Sequence, residues 1–140
     1  MVGNRKVIMK YQIEENNVYT RGLYWIYFRS GFGEIKNSSG FITARDEDKI
    51  VGAMGFREFE PGMFIYKHLV VHPDYRRQGI GTSIIQQSVR LLKEKGAWLI
   101  RNHKSNEMLP RSIFYELGFK LSTTTKMDQK TVCVFELNLL

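Results

Sequence analysis

The sequence predicts a mixed α/β fold built on one sheet, as a single domain over residues 1–140. Three observations carry this. Most apolar residues fall in short runs separated by Gly, Pro or charged turns, which is the pattern of strands. One segment, Gly79 to Lys95, switches to a helical period. That helix stands between two strand-like runs, Met63 to Val71 and Ala97 to Arg101, so the three form a βαβ unit with parallel strands. The remaining strands are joined by short turns and pair antiparallel. The expected sheet is therefore mostly antiparallel with one parallel pair.

The elements follow in order. Lys6 to Ile13 reads as a strand. Residues 14–30 read as a helix, because Val18, Leu23, Ile26 and Tyr27 can share a face, although Gly22 weakens it. Residues 31–40, GFGEIKNSSG, are a loop. Phe41 to Arg45 is a strand, Asp46 to Lys49 a charged turn, and Ile50 to Phe59 the returning strand. Pro61-Gly62 turns the chain into Met63 to Val71, which is rich in β-branched and aromatic residues. In the helix 79–95, Ile84, Ile85, Ser88, Val89 and Leu92 form one stripe; Lys93 and Lys95 sit in the last turn and Gly96 ends it. Residues 107–117 form a second short helix, broken or started at Pro110 and closed by Gly118. Phe119 to Thr124 and Thr131 to Leu139 close the sheet as an antiparallel pair. The order is β-α-β-β-β-α-β-α-β-β.

Composition bounds the function. Hydrophobic residues make up 43% and charged residues 25%, as in ordinary globular proteins. No apolar run approaches the ~18 residues of a membrane span, and the N-terminal MVGNRKVIMKYQI does not read as a signal peptide. Cys133 is the one cysteine, so no internal disulfide is expected and a reducing, cytoplasmic setting fits. The net charge is +7. The positive residues are dispersed, without a block of five or a zinc-finger, RRM or KH pattern. No nucleic-acid partner is expected, and the basic surface is assigned to a phosphorylated ligand. The three histidines, His68, His72 and His103, lack ligand spacing, so no metal is expected.

The chemistry concentrates in VHPDYRRQGIGTSIIQ, residues 71–86. A helix N-terminus presents unpaired N–H groups and a partial positive charge, which together favour an anion. Gly79 and Gly81 let a phosphate approach the backbone, Arg76 and Arg77 add charge, and Thr82 adds a hydroxyl. The turn lies between a strand end and a helix start, where open α/β sheets place ligands. The dinucleotide fingerprint would need a third glycine at residue 84, which is Ile, and the Gly-Lys-Ser/Thr of a Walker loop is absent. A glycine-rich turn without a ligand is the plain alternative.

Arg76-Arg77-Gln78-Gly79-Ile80-Gly81 after Val71-His72-Pro73 resembles the signature of the GCN5-related N-acetyltransferases, Arg/Gln-x-x-Gly-x-Gly/Ala after a Val-x-Pro strand end. The resemblance implies that fold, with the parallel strands splayed around the cofactor. It implies that backbone N–H groups from Arg77 to Thr82, Gln78 and Ile80 included, hold the pyrophosphate of acetyl-CoA. Leu69, Val70 and Val71 would pair with the pantetheine arm as an added strand, and an N–H near Val71 would polarise the thioester carbonyl. The implied reaction is direct attack by a primary amine of a small molecule, polyamine or peptide, through a tetrahedral intermediate and without an acyl-enzyme. A homodimer is compatible with it.

The family's second signature, an Asn before a helix carrying a Tyr ahead of Gly-Phe, corresponds to Asn106 and IFYELGF, residues 113–119. Tyr115 would be the acid that protonates the departing thiolate, and Asn106 a cofactor contact. Tyr115 stands three residues before Gly118 where the family has four, which puts Phe114 at the tyrosine's place. Either Tyr115 still reaches the sulfur or the acid is missing; in the second case the chain is a non-catalytic acyl-CoA-binding module. The base is open as well. Glu58 and Glu60 are candidates, with His68 and His103 near the splayed strands.

Overall fold

A computed structural model describes residues 8–15, 21–31, 38–105 and 112–140. The elements are β1 (Met9–Glu15), α1 (Arg21–Arg29), β2 (Gly40–Asp46), β3 (Lys49–Glu60), β4 (Met63–Val71), a 3₁₀ turn (Pro73–Tyr75), α2 (Ile80–Glu94), β5 (Leu99–Ser105), α3 (Ser112–Glu116), β6 (Lys120–Met127) and β7 (Lys130–Asn138). All seven strands join one sheet in the order β1-β2-β3-β4-β5-β7-β6. Only β4 and β5 are parallel; every other neighbouring pair is antiparallel. Among the described residues no helix is long and apolar enough to cross a membrane.

Four boundaries differ from expectation. Glu14 and Glu15 extend β1 and are not helical; α1 is described from Arg21. Asp46 and Lys49 are strand ends, which leaves Glu47 and Asp48 as a two-residue turn. The strand expected to stop at Arg101 runs to Ser105, because β7 pairs with it from Leu99↔Asn138 to Ser105↔Val132. Its polar tail, RNHKS, carries no apolar alternation to reveal it. The last hairpin is longer too, because Asp128 and Gln129, at φ 50° and 66°, make the tight turn.

The core lies on both faces of the sheet. On one face Ile84, Ile85 and Leu92 of α2 pack with Ile42, Met54, Phe56, Phe64, Ile100, Phe135 and the α3 residues Ile113 and Phe114. On the other, Leu23, Ile26 and Tyr27 of α1 cover Phe41, Ile50, Ala53 and Val70. Ser88, the one polar residue of the α2 stripe, is buried because its Oγ lies 2.5 Å from the Tyr66 hydroxyl and donates to Ile85 C=O at 2.6 Å.

Two irregularities shape the centre. The β3–β4 register slips: Met54 faces Leu69 but Phe56 faces Tyr66, so three steps along β4 match two along β3. This is a β-bulge in β4. It inverts the alternation, so Tyr66, Leu69 and Val71 belong with the α2 face while Val70 packs under α1. The parallel ladder is also short. It joins Met63 to Leu99, Phe64 to Ile100 and Ile65 to Arg101, and stops. Beyond it β4 stays paired with β3 and β5 stays paired with β7. The two strands part like a wedge.

Candidate acyl-donor site

The groove lies at the open end of that wedge. Pro73 fixes the approach to it. The residue before a proline is biased away from helical geometry, and His72 is extended at φ −52°, ψ 134°. Its N–H donates to Val51 C=O at 2.8 Å, and its Nδ1 accepts from the Asp74 N–H at 3.0 Å. The ring stacks on Trp25 of α1 at 4.9 Å and meets Tyr75 edge-on at 5.4 Å. Burial, with Lys49, opposes protonation of His72; Asp74 pulls weakly the other way. The turn is thus wedged between α1 and the sheet.

From Tyr75 the chain bends into α2. Arg77 is left-handed at φ 64° although it is not glycine, which stores strain of ~1–2 kcal/mol. Gly79 is left-handed at φ 75° and caps α2. A left-handed residue followed by helical ones turns successive N–H groups into a concave anion nest. The first intrahelical bond runs from Ser83 N–H to Gly79 C=O at 2.9 Å, and no side chain caps the helix start. A Cβ on Gly79 would meet nothing within 4 Å. Glycine is needed there for its backbone angle, and the space above it is open to a ligand. The Arg76 Nε donates to Val71 C=O at 3.3 Å and ties the loop to the end of β4.

These residues enclose a groove of about 290 Å³, lined by Leu69, Val71, Tyr75, Arg76, Arg77, Gly79, Ile80 and Gly81. Seven of the residues singled out in the sequence therefore meet at one place. Tyr75 was not among them; its hydroxyl donates to Asp46 at 2.7 Å, and Lys49 lies over its ring. Val70, Gln78 and Thr82 are not in the lining. Val70 is turned to the α1 face by the bulge, so only its main chain faces the wedge. Asn106 lies outside the described residues.

The other candidates are spread out. Glu58 and Glu60 oppose Phe64 and Met63, at the closed end of the wedge, and Glu58 Oε2 accepts from Gly62 N–H at 3.0 Å in the β3–β4 turn. Leu69 to Val71 lie roughly 15–25 Å farther along the strand. Phe114 is buried against Tyr66 and Phe119. Tyr115 is 48% exposed and packs edge-on against Phe135 of β7 at 5.8 Å. His103 is half-buried on β5, two residues past the last parallel rung and opposite Val134. Desolvation, Arg101 and Lys67 push its pKa below the ordinary 6.5, with Glu136 opposing. His68 sits in the β4 bulge and is lowered by burial, Lys67 and Lys104.

A family model described as an acetyltransferase (GNAT) domain matches residues 37–121. A search of the curated proteins finds no match. Among solved structures, the ribosomal-protein-S18-alanine N-acetyltransferase of Escherichia coli superposes with a TM-score of 0.71 at 14% identity, covering 94% of each chain. An aminoglycoside 6′-acetyltransferase type Ii superposes at 0.69 and 16% identity, over 95% of this chain and 97% of that one. A GNAT acetyltransferase of Elizabethkingia anophelis with acetyl-CoA bound superposes at 0.63 and 11% identity, over 94% and 98%. At these identities the likeness is one of fold.

Proposed function

The chain belongs to the GNAT acetyltransferase family, and from that premise we propose that it transfers an acetyl group from acetyl-CoA to a primary amine. The single observation that carries this is the groove: an uncapped helix start, a left-handed Gly79 under open space and two arginines, all at the mouth of the β4–β5 wedge. That donor set fits a diphosphate, and the wedge continuing from it fits an extended arm. Main-chain amides around Gly79, Ile80 and Gly81, with Arg76 and Arg77, would hold the phosphates; the β4 edge from Leu69 to Val71 would hold the arm. Acetyl-CoA supplies an activated thioester.

The rest is done by side chains of this chain. Tyr115 is the general acid. It carries a hydroxyl where Phe114 has none, and it sits against Phe135 on the face of α3. His103 is the better base than Glu58 or Glu60, because it flanks the open part of the wedge while the two glutamates flank the closed part. Similar folds include enzymes named for a protein acceptor and for an aminoglycoside, so the acceptor is left at the level of a primary amine.

The test is CoA release, followed with a thiol reagent, across amines, peptides and polyamines. Turnover on at least one of them is expected, and Tyr115→Phe should lower kcat by about a hundredfold or more with the Kd of acetyl-CoA unchanged. Tight cofactor binding with no turnover on any amine would instead identify a non-catalytic binding module. The three-residue step from Tyr115 to Gly118 is the feature that favours this second reading.

A further inference from the structure

Asn102 is buried to 5% exposure, and its Nδ2 has no hydrogen-bond partner in the structure. A buried amide N–H without a partner costs about 1–3 kcal/mol, so such groups are rare and demand a reason. The position supplies one. Asn102 is the first residue of β5 beyond the last parallel rung, Ile65↔Arg101. On one flank it opposes Phe135 of β7, an apolar ring that offers it no acceptor. On the other flank β4 has departed. Alternation along β5 puts it on the face of Ile100, which is the face of α2 and α3. Tyr66, the β4 residue that begins the gap, is on that face too, and its hydroxyl is committed to Ser88. Tyr115 packs on the same Phe135 that Asn102 opposes. The orphan donor thus stands at the root of the wedge, opposite the same Phe135 on which the proposed acid packs.

We propose that the Asn102 amide is a ligand-binding donor, completed by a carbonyl oxygen of the acyl-CoA arm lodged between β4 and β5. This rests on the acyl-donor reading above. It assigns the arm a polar anchor at the root of the β4–β5 wedge, separate from the phosphate nest at the start of α2. The carbonyl can belong to a pantetheine amide or to the thioester; both present the same acceptor chemistry.

The experiment measures Kd and Tm for wild type, Asn102→Leu and Asn102→Ala with three probes: acetyl-CoA, CoA, and adenosine 3′,5′-bisphosphate, which lacks the arm. Removing one neutral hydrogen bond should weaken CoA and acetyl-CoA about three- to tenfold and leave the bisphosphate unchanged. Loss confined to acetyl-CoA places the contact on the thioester; equal loss with CoA places it on a pantetheine amide. Without ligand, Asn102→Leu should melt no lower than wild type, because it replaces an unsatisfied polar group by an apolar one of the same branching and heavy-atom count, the removed desolvation cost offsetting the larger methyl groups. Unchanged affinity for both coenzymes, equal weakening of all three probes, or a large drop in the ligand-free Tm of Asn102→Leu would each overturn the assignment. If wild-type protein binds neither coenzyme, the acyl-donor reading itself falls; if it binds both and the variants bind as well, only the Asn102 proposal does.

Discussion

His103 joins burial, charge and position in one side chain. An imidazole accepts a proton only when neutral, and desolvation together with Arg101 and Lys67 favours that form. The sign follows: its pKa lies below 6.5, so the neutral base is present at neutral pH and is lost as pH falls through that lowered value. The expected kcat/KM therefore rises with pH along a limb below 6.5. His103→Gln should remove that limb and lower the rate by about a hundredfold or more, while a second limb at higher pH, from the acceptor amine, persists in both proteins. A wild-type profile flat from pH 5 to 7 would remove His103 from the mechanism. At this scale the sequence was legible in part. Arg76, Arg77, Gly79 and Gly81 declare themselves because their spacing at a strand-to-helix turn has few other uses. Asn102 does not, since a polar residue in a strand shows its chemistry only once the neighbouring strand is known to have left. His103 stands among four candidates for the base, with nothing in its own strand to separate it from the others. Tyr115 and Phe114 are adjacent, and only the burial of Phe114 separates them.

The strand-to-helix turn before α2 is the element that must be right for a phosphate to bind. Gly79 is held at φ 75° with open space above it, so replacing it isolates the torsional cost. Gly79→Ala should lose ~1–2 kcal/mol of stability and weaken acetyl-CoA in the same protein, while Gly79→Asn, a residue that tolerates the left-handed region, should recover part of the stability. Gly81 is buried in the first turn of α2. Gly81→Glu should abolish acetyl-CoA binding through a carboxylate placed in the nest. Calorimetric titration with parallel melting curves checks both, and undiminished affinity in Gly81→Glu would refute the nest. The elements themselves were largely readable: their order and the βαβ unit follow from period changes and turn residues. The β4 bulge was not, because Met63 to Val71 reads as an unbroken strand and its slip exists only relative to β3. The polar end of β5 was hidden for the same reason, being held by β7 and by nothing in its own pattern.

At the scale of the molecule the question is what +7 of net charge does. Among the described residues opposite charges meet in several pairs: Arg45 with Glu14, Arg101 with Glu136 at 2.5 Å, and Arg90 with Glu94 at 3.0 Å. The exposed Arg90–Glu94 pair contributes ~0–1 kcal/mol, and in the two partly buried pairs desolvation offsets much of the attraction, so none of them explains an excess of cations. A surplus of one sign raises the local concentration of a polyanion and speeds its encounter with the groove, at the cost of self-repulsion in the folded state. The two effects respond to salt with opposite signs. The screening length shrinks from about 10 Å at 0.1 M to about 3 Å at 1 M. Added salt should therefore weaken acetyl-CoA binding several-fold, leave a neutral truncated donor such as an N-acetylcysteamine thioester unaffected, and keep or raise the Tm of the ligand-free protein. Affinity for acetyl-CoA that is independent of salt would mean that Arg76, Arg77 and the surrounding field contribute nothing to holding the phosphates, and that the arm in the wedge supplies the binding energy alone.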